Sequence, residues 1–320
     1  MTAKTSVLGL LVLIVSLMQG RIAMGENKIE KLGTIDLDLC ETSPVSFKGK
    51  LYRFEYVRSN YWNNDTGDSY FRFVDHETGI PGPPFGKGHH LGSAMVDGDR
   101  LVVTAVNAWD GDRIDIFVSG DMETWESWNA LHLPGYGLFN TSMCKARDNY
   151  VLMFEVGKPA EVAGVRFTAR FATSSDLRTW ELTPPECTYS KDRYTAPHCL
   201  RYLDGYYYNF YLEVVNGGWE QYVVRSKDLI QWVKSPLNPV LKASEEDRRI
   251  ANDRLTPGQR DKIRTAPNIN NSDIDFCEHK GQVIINYHWG DQATVGFLAE
   301  AEFDGTEAQF LKSWFPEESP

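Results

Sequence analysis

The chain has 320 residues with 33 basic and 44 acidic side chains, a formal charge of −11. That balance excludes a general binder of nucleic acid or anionic membrane, because phosphate recognition needs basic surface. Hydrophobic content is 42% and aromatic content 12%, enough for one sizeable core and suited both to strands and to rings that stack on sugar faces.

The N-terminus reads as an export signal. Lys4 precedes a short apolar run over residues 7–18, and Ala23-Met24-Gly25 presents small residues for cleavage before Glu26. The run is short for a membrane-spanning helix, and an uncleaved anchor stays open as the alternative. Residues 26–320 are then expected as a single domain of a secreted or periplasmic protein. Its five cysteines, Cys40, Cys144, Cys187, Cys199 and Cys277, are odd in number, which argues against a complete disulfide framework. Cys144, Cys199 and Cys277 fall in strand-like segments and read as small buried hydrophobes.

In chain order, residues 34–39 form a strand-like lead-in. Five repeats follow. The first has strands near 45–47, 51–57 and 70–74, then a loop over 80–88 carrying three prolines and three glycines. The second has strands at 91–96, 101–106 and 114–118, with Asp97-Gly98 as a hairpin turn. The third has strands near 141–146, 150–156 and 166–173; the fourth has strands at 198–202, 206–214 and 221–225. The last spans 272–276, 283–287, 297–302 and 310–315. Either the lead-in or 310–315 would complete the last repeat. Between the fourth and fifth, residues 244–266 carry an acid three residues after Ser244 and a Thr256-Pro257 pair, both helix-start signals. This helical insertion is equally suited to a lid and to a surface decoration.

One phrase recurs through these repeats. It reads FVSGDMETW at 117–125, FATSSDLRTW at 171–180 and VVRSKDLIQW at 223–232, with tryptophans 55 and 52 residues apart. A period near fifty with strand signals in each copy predicts a five-bladed β-propeller, an all-β fold. Trp125, Trp180 and Trp232 recur with the fold and are assigned to structure.

In a propeller the innermost strands line a central channel and ligands bind at its mouth. The starts of the expected inner strands are polar beyond what packing requires: His89-His90, Asn140, His198, and Asn271 to Asp275. Strand alternation puts Asn271, Asp273 and Asp275 on one face. Glu55, Glu155 and Glu213 sit in apolar second strands, where an acid is costly unless paired or used. Asp273, Asp275 and Glu155 are therefore the expected catalytic carboxyls, since glycoside hydrolysis needs two on opposite sides of the scissile bond. His89, His90, Asn140, His198, Glu213, Asn271, His288, Trp289 and Arg58 are the expected substrate contacts. Trp62, Trp109, Trp219 and Trp289 are each as suited to packing as to a sugar platform. No spacing is diagnostic of a metal; no cofactor is expected, and a channel calcium ion would be held near His198. The sequons at Asn64, Asn140 and Asn270 read as incidental.

The Ser-x-Asp-Leu-x-x-Trp phrase (174–180, 226–232) and the segment 194–208 resemble the five-bladed propeller glycosidases of glycoside hydrolase families 43 and 32. The resemblance implies hydrolysis of plant or algal poly- or oligosaccharide. It does not carry over residue by residue. Where family 43 has Glu-Gly-Pro with the general acid, this chain has Thr195-Ala196-Pro197. Where an Asp base is expected it has Ser43-Pro44, with Glu41 nearby. A glycosidase is the leading expectation. A non-catalytic carbohydrate-binding propeller and a sugar lyase or phosphorylase stay open, since a fold hosts many chemistries.

Overall fold

The computed structural model describes residues 29–59, 67–291 and 296–316. The expected signal at 1–25, Trp62 and the sequon at Asn64 lie outside these. The described chain is mostly strand, in antiparallel units of three to five strands.

β1 (Glu30–Leu37) comes first in the chain but pairs last. The first unit is β2 (Ser43–Phe47), β3 (Lys50–Val57) and β4 (Tyr70–Asp75). The second is β5 (His90–Asp97), β6 (Arg100–Val106), β7 (Arg113–Ser119) and β8 (Glu126–His132). The third is β9 (Gly137–Ala146), β10 (Asn149–Lys158), β11 (Thr168–Ser174), β12 (Glu181–Leu182) and the short β13 (Thr188–Tyr189); the single-turn α1 (Ala160–Ala163) follows β10. The largest sheet divides at one parallel bridge, Trp219 to Asn270. On one side lie β14 (Cys199–Leu203), β15 (Tyr206–Val215), β16 (Gly218–Ser226) and β17 (Trp232–Lys234). On the other lie β18 (Asn270–His279), β19 (Gln282–Gly290), β20 (Gly296–Asp304) and, paired with β20, β1. The N-terminal lead-in thus completes the last unit.

Turn chemistry fixes these hairpins. Lys48-Gly49, Asp204-Gly205 and Lys280-Gly281 have positive φ at both residues, the two-residue turn whose twist matches that of its strands. The repeated phrase is one turn built three times. Ser174 Oγ accepts from the amide of Leu177 at 2.9 Å, and Asp176 Oδ1 accepts from the amides of Arg178 and Thr179 at 2.7 and 2.8 Å. Ser119 with Asp121, and Ser226 with Asp228, repeat the pattern. Trp180 Nε1 then donates to the Leu177 carbonyl at 3.0 Å, holding the turn against the next strand.

The segment expected as a strand over 310–315 is instead helical: α3 (Glu307–Ser313). Thr306 and Gln309 form a reciprocal cap, and Phe310, Leu311 and Trp314 fall on one helical face, against Phe210 and Phe276. The insertion forms a 3₁₀ turn at Glu245–Arg248 and α2 (Pro257–Thr265), each with its capping box. Asp247, fully buried, accepts from Lys31, Tyr287, Asn268 and Asn271, so the insertion is fastened to β1 and β19.

Strands β2, β5, β9, β14 and β18 pack in a closed series, each against the next and β18 against β2. Between the first two units the core is aromatic. Phe85, from the proline-rich loop, stacks on Trp125 at 3.8 Å and packs beside Phe71 and Phe73. Fully burying one such ring contributes roughly 2–3 kcal/mol.

Candidate active site

The starts of the five inner strands converge on one cleft. Glu41, Leu91, Asn140, Pro197 and Asp273 line both its narrow inner part and its wider outer part, the latter about 710 Å³. Three of them are left-handed without being glycine: Glu41 at φ 49°, Leu91 at 53° and Asp273 at 55°. This backbone costs roughly 1 kcal/mol or more per residue, and clusters of it mark functional sites. Bulges accompany two of the three, between His90 and Ser93 and between Ser272 and Asp275.

Glu41 and Asp273 bring two carboxyls to this cleft. Burial, and then the charge of Glu41, push the Asp273 carboxyl up to about 8. Ser272 Oγ donates to Asp273 Oδ2, which favours the ionised form but does not offset those two effects. His288 Nδ1 stands 4.0 Å from Asp273 Oδ2, but burial, and then Arg58, depress that imidazole to about 3. His288 is therefore neutral and lends Asp273 no compensating charge.

Glu155 supports the cleft from the second strand of its unit. One oxygen accepts from His198 Nδ1 at 2.8 Å and from the His198 amide at 3.1 Å; the other accepts from Asn140 Nδ2 at 3.0 Å. His198 Nε2 meets Thr195 Oγ1 at 3.0 Å, so both ring nitrogens of His198 are engaged. Burial raises the Glu155 carboxyl, and the His198 hydrogen bond opposes that rise. Among the described residues no group of three or more His, Cys, Asp or Glu side chains could hold a metal ion.

The outer cleft has an aromatic wall. Trp109 meets Phe139 edge-on at 5.3 Å, Phe139 meets Phe167 at 4.5 Å, and Phe167 meets Tyr194 at 6.0 Å. Trp109 is 37% exposed, a ring face open to a ligand. Arg58 also lines the outer cleft, over the ring of Tyr56.

Of the residues expected from sequence, Asp273, Glu155, Asn140, His198 and Arg58 therefore line this cleft. Asp275 borders its inner part, but its carboxyl is ion-paired with Arg201 and accepts from the Phe276 amide at 2.8 Å. The others lie elsewhere. His89 donates to Asp115 at 2.8 Å, and buried His90 bonds Tyr56 Oη at 2.6 Å. Glu213 pairs with Arg193 and Lys234. Asn271 accepts from Lys31 at 2.7 Å, and His288 is buried behind Asp273. Trp289 corrects the sequence reading: it is fully buried, stacked on Phe297 at 4.4 Å and donating to Thr34 Oγ1, so it offers a sugar no face. The insertion contributes no side chain to the cleft lining, which argues against a lid. Sequence reasoning noted Glu41 only as an acid near the expected position of a base, and passed over Phe139 and Phe167. For Glu41 the available signal was an acid just before an inner strand, matching Asp273 in the last unit.

No family model matches the sequence, and no curated protein matches it. Solved structures do match. A glycoside hydrolase aligns over 91% of this chain and 95% of its own with a TM-score of 0.61 and 12% identity. The fold is that of the propeller glycosidases. An α-L-arabinofuranosidase from Podospora anserina, solved with cellotriose, covers 86% of this chain and 97% of its own at a TM-score of 0.56 and 8% identity. A family 32 β-fructofuranosidase from Bombyx mori aligns over 85% of this chain and 62% of its own at 0.54 and 11%. At such identities the likeness concerns fold, and function must be argued from the site.

Proposed function

We propose that this protein is a glycoside hydrolase whose catalytic pair is Glu41 and Asp273. The five antiparallel units are then the blades of a five-bladed propeller, a reading supported by the closed series of inner strands. What carries the reading is one cleft to which Glu41 and Asp273 both bring a carboxyl, beside a Glu155 already engaged by His198 and Asn140, with burial and the charge of Glu41 raising Asp273 so that it can hold a proton near neutral pH. A carboxyl whose surroundings keep it protonated is suited to act as the acid. Asp273 protonates the departing glycosidic oxygen, and Glu41 activates water or attacks the anomeric carbon. Glu155 and Asp275, the other acids expected from sequence, are positioning residues: Glu155 orients Asn140 and His198, and Asp275 neutralises Arg201. The substrate is a plant or algal poly- or oligosaccharide, stacked on Trp109. Residues 1–25 direct the protein out of the cytoplasm, where such polymers are met.

The test is release of reducing sugar from a panel of plant and algal oligosaccharides by wild type, Glu41→Gln and Asp273→Asn. Loss of about a thousandfold in kcat for both variants, with unchanged circular dichroism, is expected. Full activity in either variant would remove that residue from the pair. Sugar binding by all three proteins with no hydrolysis by any would make the protein a binding module.

A further inference from the structure

Glu41 does not enter the cleft alone. On an extended strand, neighbouring side chains point to opposite faces. Glu41 is left-handed, at φ 49°, and this brings its side chain back beside that of Cys40. The Cys40 thiol lies in hydrogen-bond contact with Glu41 Oε2, and Arg58 Nη2 donates to Cys40 Sγ at 2.8 Å. All three residues border the outer cleft. Cys40 is only 5% exposed, and burial pushes its thiol well above the ordinary range. It therefore keeps its proton, and an S–H group is a donor, if a weak one. Arg58 withdraws electron density from the sulfur and so strengthens that donor.

We infer that Cys40 is a positioning residue: its thiol, polarised by Arg58, donates to Glu41 and holds that carboxylate in its working orientation. The inference rests on the hydrolase reading above and adds to it a residue that never touches substrate. Catalysis depends steeply on such alignment. The bland account of Cys40 is a small buried hydrophobe, and the two accounts order the substitutions oppositely. A donor role makes serine the good replacement and alanine the poor one. A packing role makes alanine good and serine poor, since it buries a hydroxyl among groups chosen for sulfur.

The experiment measures kcat and KM for wild type, Cys40→Ala and Cys40→Ser on the most reactive glycoside, with Glu41→Gln as reference. Expected are a roughly tenfold fall in kcat for Cys40→Ala at nearly constant KM, and kcat within about threefold of wild type for Cys40→Ser. Wild-type kcat in Cys40→Ala, or serine worse than alanine, overturns the inference while leaving Glu41 and Asp273 in place. A second measurement needs no turnover: the infrared S–H stretch of Cys40, isolated as wild type minus Cys40→Ser. It is expected at lowered frequency and to rise in Glu41→Gln; a band that ignores that substitution removes the hydrogen bond. Absence of hydrolysis by wild type on every glycan would instead sink the underlying reading, and this inference with it.

Discussion

Glu41 and Asp273 share one backbone anomaly at equivalent places in adjoining units. Each precedes or interrupts its inner strand in the left-handed region, at φ 49° and 55°, and each delivers its carboxyl to the same cleft. Glu41 is also the largest charged contributor to the raised Asp273 carboxyl, after burial. The backbone strain and the electrostatics therefore serve one arrangement, and it can be tested from several sides.

The pH dependence follows from Asp273 acting in its protonated form. Its carboxyl is pushed up to about 8, so kcat/KM should fall on the alkaline side with a midpoint near that value, about tenfold per pH unit beyond it. Replacing Glu41 by Gln removes a negative neighbour and should lower the Asp273 titration. Carboxyl ¹³C shifts followed through a pH series in both proteins would measure it. A titration left in place would mean that burial alone raises Asp273.

Stability should carry the same signature with a defined sign. In the unfolded chain Asp273 ionises near the ordinary 3.8, and in the folded protein near 8. Between those values the unfolded chain has released a proton that the folded chain retains, so stability falls as pH rises through the window. Asp273→Asn lacks that loss. Urea unfolding at pH 5 and pH 9 should give a larger drop for wild type than for the variant. Equal drops would show that Asp273 ionises normally in the fold.

Asp275 should behave as a structural acid. Asp275→Asn leaves the guanidinium of Arg201 without its nearest countercharge, Glu307 being 3.6 Å away. The expected cost is roughly 3 kcal/mol of stability with kcat close to wild type below the melting transition. Loss of kcat in a stably folded Asp275→Asn would return this residue to the chemistry.

Trp109 should act on binding. Trp109→Ala removes the exposed ring at the rim of the cleft and should raise KM about tenfold, near 1.4 kcal/mol, with kcat within about twofold. Trp289→Ala should do the reverse: destabilise by about 3–5 kcal/mol through the cavity it leaves, with little change in KM. Steady-state kinetics beside thermal melts separate the two tryptophans.

What sequence determined by itself was local. The Ser-x-Asp turns close within about six residues through their own side chains and amides, so their threefold recurrence announced the repeat and its period. Strand alternation and two-residue turns did the same for most hairpins. The one strand misread, over 310–315, failed because the Thr306 to Gln309 cap outweighed an apolar run that suits either period. Tertiary structure decided the site. Alternation puts Asp273 and Asp275 on one face, but the bulge between Ser272 and Asp275 breaks the period. Asp273 thereby enters the cleft beside Glu41, and Asp275 is left to Arg201. Glu41, Cys40 and Arg58 meet Asp273 across more than 200 positions of sequence, through the packing of β18 against β2. A carboxyl's role is set by how far it is buried and by which charge faces it, and both come from chain segments far from its own.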